Sequence, residues 1–69
     1  MSQRYPQIHV QLHSRNPFAM ISAVRQALRH SHVEHEEIDL FTEEALQAEE
    51  PERVRNVCDS WASLEFLPV

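Results

Sequence analysis

Gln7-Ile8-His9-Val10-Gln11-Leu12 alternates without a break, with Ile8, Val10 and Leu12 on one face and Gln7, His9 and Gln11 on the other. Successive side chains of a pleated strand point to opposite faces, so this run predicts a half-buried strand. A strand also needs a neighbour, because its main-chain N–H and C=O groups otherwise lack partners. Working outward from residues 7–12, only the tail after Trp61, Ala62-Ser63-Leu64-Glu65-Phe66-Leu67-Pro68-Val69, can supply that neighbour from the same chain. Leu64-Glu65-Phe66 alternates as a short strand, although Leu64 could equally continue a helical stripe. Backbone accounting favours a strand over residues 63–67, paired with residues 7–12. Were the tail helical, the first strand would pair with another molecule.

Between the two strands the period changes to that of helices. Asn16-Pro17 marks a start, with Asn16 able to cap free N–H groups and Pro17 suited to the first helical position. Phe18, Ile21, Val24 and Leu28 recur at helical spacing, flanked by Met20, Ala23 and Ala27, over about residues 17–31. His30-Ser31-His32-Val33 connects to a second helix over about 34–48, with Ile38, Phe41, Ala45 and also Leu46 turned inward. Glu34, Glu36, Glu37 and Asp39 crowd its start, where the helix dipole favours negative charge. Glu49-Glu50-Pro51 ends that helix and opens a third, whose stripe is Val54, Val57, Cys58 and Trp61. The expected core is Ile8, Val10, Phe18, Ile21, Val24, Leu28, Ile38, Phe41, Val54, Val57 and Trp61.

The expected fold is therefore α+β: a small β-α-α-α-β domain with a two-stranded sheet on a layer of three helices. If those helices reverse direction at each turn, the strands run parallel; oblique packing would make them antiparallel. The alternative is an all-α three-helix domain with an N-terminal arm. Sixty-nine residues form one domain, 1–69, with residues 1–6 as a flexible arm. A domain of this size buries only about 60% of its unfolded surface. Its margin of stability is correspondingly thin, and a second copy sharing a face would add to it.

Cys58 is the only cysteine, so no internal disulfide forms. The first residues lack the apolar stretch of a signal peptide, and no run is long enough to span a membrane. The cytoplasm is the expected compartment. The net charge of −5 is unevenly spread. Residues 1–33 hold Arg4, Arg15, Arg25 and Arg29 and no acid, while residues 34–69 hold all eleven acids with Arg53 and Arg55, giving halves of +4 and −9. A basic patch can mark a nucleic-acid surface, but a basic helix packed beside an acidic one explains the same pattern.

The alternating strand, Asn16 and Phe18, the run Arg25-Gln26-Ala27-Leu28-Arg29, Glu36-Glu37-Ile38-Asp39-Leu40-Phe41, Glu44-Ala45, and finally Cys58 and Trp61 together resemble a group of small uncharacterised bacterial and phage proteins. The resemblance covers roughly residues 7–65 and rests on core and helix-face positions. It implies a strand, three helices and a short C-terminal strand, and no function. Members of that group carry glycine after the strand and between the first two helices. This chain has no glycine, using Ser14-Arg15-Asn16 and His30-Ser31-His32 there instead.

Five histidines invite a metal site. His30, His32 and His35 lie among Glu34, Glu36 and Glu37, and imidazole with carboxylate suits zinc or nickel. Their i, i+2, i+5 spacing straddles a turn and does not converge on one ion, so a solvated polar turn is preferred and no metal or other cofactor is expected. His9 and His13, on or just after the outer face of the first strand, have no acid–base partner nearby in sequence. Cys58 lies on an apolar stripe beside Asp59, where a thiol behaves as a small hydrophobe rather than a nucleophile. Arg15, Arg25 and Arg29 could contact phosphates. The chain lacks lysine, however, its remaining surface is acidic, and no aromatics interleave with the basic residues. Arg25 and Arg29 are expected to pair with acids of the second helix such as Glu37 or Glu44.

With no catalytic constellation, the expected function is that of a non-catalytic protein-interaction or regulatory module rather than an enzyme. Its partner would be another protein or a second copy, docked on the strand edge at His9 and Gln11. A nucleic-acid-associated factor using Arg15, Arg25 and Arg29 is the alternative.

Overall fold

The computed structural model describes residues 3–68, and its elements follow in the order strand, three helices, strand. β1 spans Tyr5–Leu12, α1 Pro17–His30, α2 His35–Gln47, α3 Pro51–Trp61 and β2 Ala62–Phe66. β1 and β2 form a parallel two-stranded sheet with His9 opposite Ser63, Val10 opposite Leu64, Gln11 opposite Glu65 and Leu12 opposite Phe66. Helices of similar length reversing at short turns bring β2 back in the direction of β1, so the parallel alternative holds and the all-α alternative does not.

Each boundary has a local cause. Asn16 accepts through its side-chain oxygen from the N–H groups of Phe18 (2.9 Å) and Ala19 (3.4 Å), capping α1, and Pro17 occupies the first turn. At the other end of α1 the N–H of His32 donates to Arg29 and that of Val33 to Leu28. This is the paired closure that usually takes a left-handed glycine. His32 supplies the left-handed residue instead, at φ 63°, and Glu49 does so after α2 at φ 62°. Pro51 opens α3, whose last residue, Trp61, passes directly into β2 as Ala62 turns extended at φ −148°, ψ 166°.

The core fills the space between the sheet and the helices. Ile8, Val10 and Leu12 come from β1, Met20, Ile21, Val24 and Leu28 from α1, and Ile38, Phe41 and Ala45 from α2. Val54, Cys58 and Trp61 of α3 and Ala62 of β2 complete it. Val57, expected within, is half-buried against this cluster. Phe18 departs from expectation outright, being 73% exposed. The buried stripe of α1 centres on Met20, Ile21, Val24 and Leu28, and at 100° per residue Phe18 lies about 100° off that centre. Leu46, expected inward, is likewise off the Ile38–Phe41–Ala45 stripe and exposed.

Of the residues 1–6 expected as an arm, those described make contacts with the rest of the fold. Arg4 donates its N–H to Ser60 (3.0 Å), and β1 already begins at Tyr5. Trp61 is the reason: the Tyr5 ring stacks on it at 6.2 Å and the Arg4 guanidinium lies 4.3 Å above it. Phe41 meets the same indole edge-on at 5.6 Å. Met1 and Ser2 lie outside the described residues. Register slips between Tyr5 and His9, so Pro6, Gln7 and Ile8 bulge where β2 advances by one residue. A bulge is where a strand tolerates proline, and the Ser63 hydroxyl lies 2.9 Å from the Pro6 carbonyl.

Candidate functional site

The geometry of β1 follows from one hydrogen bond. Leu12 accepts from the N–H of Leu67 at 2.8 Å, so the main-chain groups of Leu12 face β2. Those groups alternate sides along a strand, and with the observed register Val10 also faces β2. The N–H and C=O of His9 and Gln11 therefore point the opposite way, to the edge that β2 does not occupy. The sheet has no third strand among the described residues to receive them. The His9 and Gln11 side chains are exposed on the face turned away from the core, as their alternation with buried Ile8, Val10 and Leu12 requires. The edge thus combines main-chain donors and acceptors with short polar side chains.

The histidines of the first turn do not converge. His30, His32 and His35 are all exposed, and no group of three potential ligands is brought together among the described residues. His35 instead contacts Asp39 through Nδ1 at 3.1 Å, one helical turn away and in solvent. His32 is engaged as the left-handed residue of the turn, which fixes its backbone rather than aiming its ring.

The arginines are distributed differently from expectation. Glu37, the expected partner of Arg25 or Arg29, is taken by the N-terminal segment: Arg4 approaches it at 3.4 Å and the Tyr5 hydroxyl donates to it at 3.2 Å. Partial burial, then the Glu37 charge and this hydrogen bond, hold the Tyr5 phenol above its ordinary pKa. Arg25 and Arg29 line a small cleft with Val33, His35, Ile38 and Asp39. Neither forms an ion pair among the described residues, and Arg25 Nε is buried without a hydrogen-bond partner there. Arg15 lies elsewhere, its guanidinium 4.7 Å from the centre of the Phe66 ring. Arg15 therefore lines different clefts from Arg25 and Arg29.

Sequence reasoning missed two arrangements. Arg55 stacks on the same Phe66 ring at 5.0 Å, and only the folding of β2 beside α3 and the end of β1 brings the pair together. The Tyr5–Glu37–Arg4 contact borders an open cleft lined also by Ile8, His32 and Glu34, and it links residues 32 or more apart in sequence. No signal in a single sequence announces either one. Cys58 is fully buried, and burial, with the neighbouring Asp59 charge adding to it, raises the thiol pKa to about 11. Such a thiol is protonated at neutral pH and shielded from reagents. No helix among the described residues is long and apolar enough to cross a membrane.

No family model, curated protein or solved structure matches this chain, so any function must be argued from its own residues.

Proposed function

We propose that the chain is a non-catalytic interaction module that binds an extended protein segment along the open edge of β1. The observation that carries this is the outward direction of the His9 and Gln11 main-chain groups in a sheet of only two strands. Unpaired edges of this kind are templates for a further strand. An added strand gains main-chain hydrogen bonds whatever its sequence and specificity from alternate side chains. A two-stranded sheet is also marginal by itself, so a third strand strengthens the fold that receives it. The segment belongs either to another protein or to a second copy, for which an antiparallel pair centred on Val10 would set His9 against Gln11 of the partner twice over.

Light scattering across a concentration series, with amide hydrogen exchange of residues 7–12 and affinity capture, tests this reading. Protection of the His9 and Gln11 amides that rises with chain concentration identifies a second copy. Protection only on adding a captured partner identifies another protein. A strict monomer with unprotected His9 and Gln11 amides and no captured partner would overturn it. Binding that collapses with rising salt on titration with single-stranded DNA would instead favour a nucleic-acid factor.

A further inference from the structure

We infer that the pole where both strands end holds a binding site for a small organic oxyanion with a flat apolar body, clasped by Arg15 and Arg55 beside Phe66. Arg15 follows β1, Phe66 ends β2, and Arg55 projects from α3, so three elements that are separate in sequence meet at one place. Both guanidiniums lie within 5.0 Å of one ring centroid. Neither has a carboxylate within ion-pair distance among the described residues, whereas Arg4 and Arg53 each have one. Both guanidiniums are drawn to one ring and line one cleft with it, and the Glu52 carboxylate that also lines the cleft is not within ion-pair distance of either. An anion bound in that cleft gains from both charges, and the planar guanidinium fork presents paired donors matching a carboxylate or phosphate.

The floor supplies the rest of the specificity. Met20, Pro51 and Phe66 line the cleft with the two arginines and Glu52, so its charged rim encloses an apolar base. A second cleft shares Arg15 and Phe66 and is lined further by His13, Ser14, Leu67 and Pro68. Glu52 disfavours a bare, multiply charged ion at this position, which points to an anion that gains part of its affinity from an apolar body. The site lies beyond the ends of both strands and shares no residue with the His9–Gln11 edge, so it stands independently of strand docking.

Carboxylate and phosphate share this chemistry, and two probes separate them. The full chain, labelled with nitrogen-15 including the arginine side chains, would be titrated with phenylacetate and with phenyl phosphate, and with inorganic phosphate for comparison. Saturable shifts of the Arg15 and Arg55 Nε–H and the Phe66 amide are expected with at least one aryl probe, with inorganic phosphate weaker. Whichever aryl probe binds tighter names the source. Arg15→Gln and Arg55→Gln should each weaken binding roughly tenfold or more, as expected for loss of a charge-assisted contact, while Arg53→Gln should not. All three arginines are exposed, and unchanged circular dichroism would establish that the variants remain folded. Shifts that never saturate, that inorganic phosphate reproduces equally, or that persist in the Arg15→Gln/Arg55→Gln double variant would overturn the site.

Discussion

At the scale of single residues, two positions convert the structure into measurable stability. His32 and Glu49 hold left-handed backbone without being glycine. For a residue bearing a Cβ that conformation costs roughly 1–2 kcal/mol, partly offset in a His32→Gly variant by the greater freedom of its unfolded chain. His32→Gly should therefore raise stability by about 1 kcal/mol in urea titration, and a loss would mean that the imidazole contributes contacts exceeding the strain. Cys58 gives a pH dependence whose sign is fixed. Its thiol is raised to about 11 in the fold from an ordinary value near 9.0. Below pH 9 it is protonated folded or unfolded, and the stability is fully present. Between about pH 9 and 11 the unfolded chain releases the proton while the folded chain keeps it, so stability falls by about 2–3 kcal/mol. Tyr5, also raised, adds to the same fall. Cys58→Ala should flatten the decline, and native labelling by a thiol reagent at neutral pH should be slow but fast in denaturant. A wild-type profile that is level to pH 11 would contradict this burial.

At the scale of elements, much was legible because the periods are clean. Alternation over residues 7–12 placed a strand with its apolar face inward, and Asn16-Pro17 and Pro51 placed two helix starts. The tail was ambiguous by period and was decided by the need of β1 for a ladder partner, a long-range constraint rather than a local one. Phe18 was misplaced because it falls at helical spacing from Ile21 yet sits in the first turn, where Met20 takes the inward position. The partners of the arginines were not legible either. Ion pairing depends on which side chains the turns bring together, and the N-terminal segment claimed Glu37 first. Alternation alone puts the His9 and Gln11 side chains on the outer face of β1, but the direction of their amides requires the register. That direction makes a sharp test. Gln11→Pro removes an outward donor and leaves the ladder to β2 intact, so the fold should persist while concentration-dependent or partner-dependent protection of the strand weakens. Val10→Pro removes a donor that β2 receives, together with a core side chain, and should unfold the domain. Loss of folding in Gln11→Pro, with its stability matching that of Val10→Pro, would reverse the assigned edges.

At the scale of the whole molecule, the two chain ends are tied through one indole. Trp61 is 3% exposed at the junction of α3 and β2, and it meets Tyr5 of β1, Arg4 just before it and Phe41 from α2. It therefore joins the sheet, the central helix and the N-terminal segment in one packing unit. The unequal charge of the two halves works in the same direction, since basic Arg4 is drawn onto acidic Glu37 across the molecule. That exposed pair contributes little by itself, at most about 1 kcal/mol, so the aromatic contacts carry the connection. At roughly 0.05–0.15 kcal/mol per residue, a chain this short has only several kcal/mol in reserve. Replacing a buried tryptophan with alanine costs about 3–5 kcal/mol, a large part of that reserve. Trp61→Ala should accordingly lose most of its cooperative transition in urea, followed by far-ultraviolet circular dichroism, and both strands should exchange their amides together. Phe18→Ala, which removes an aromatic of similar apolar character from solvent, should shift the midpoint by no more than about 0.5 kcal/mol. If the two variants were equally stable, the fold would not be organised around Trp61. If β2 alone exchanged in Trp61→Ala while β1 stayed protected, the strands would be separate units, and the open edge of β1 would owe its order to a partner rather than to its own sheet.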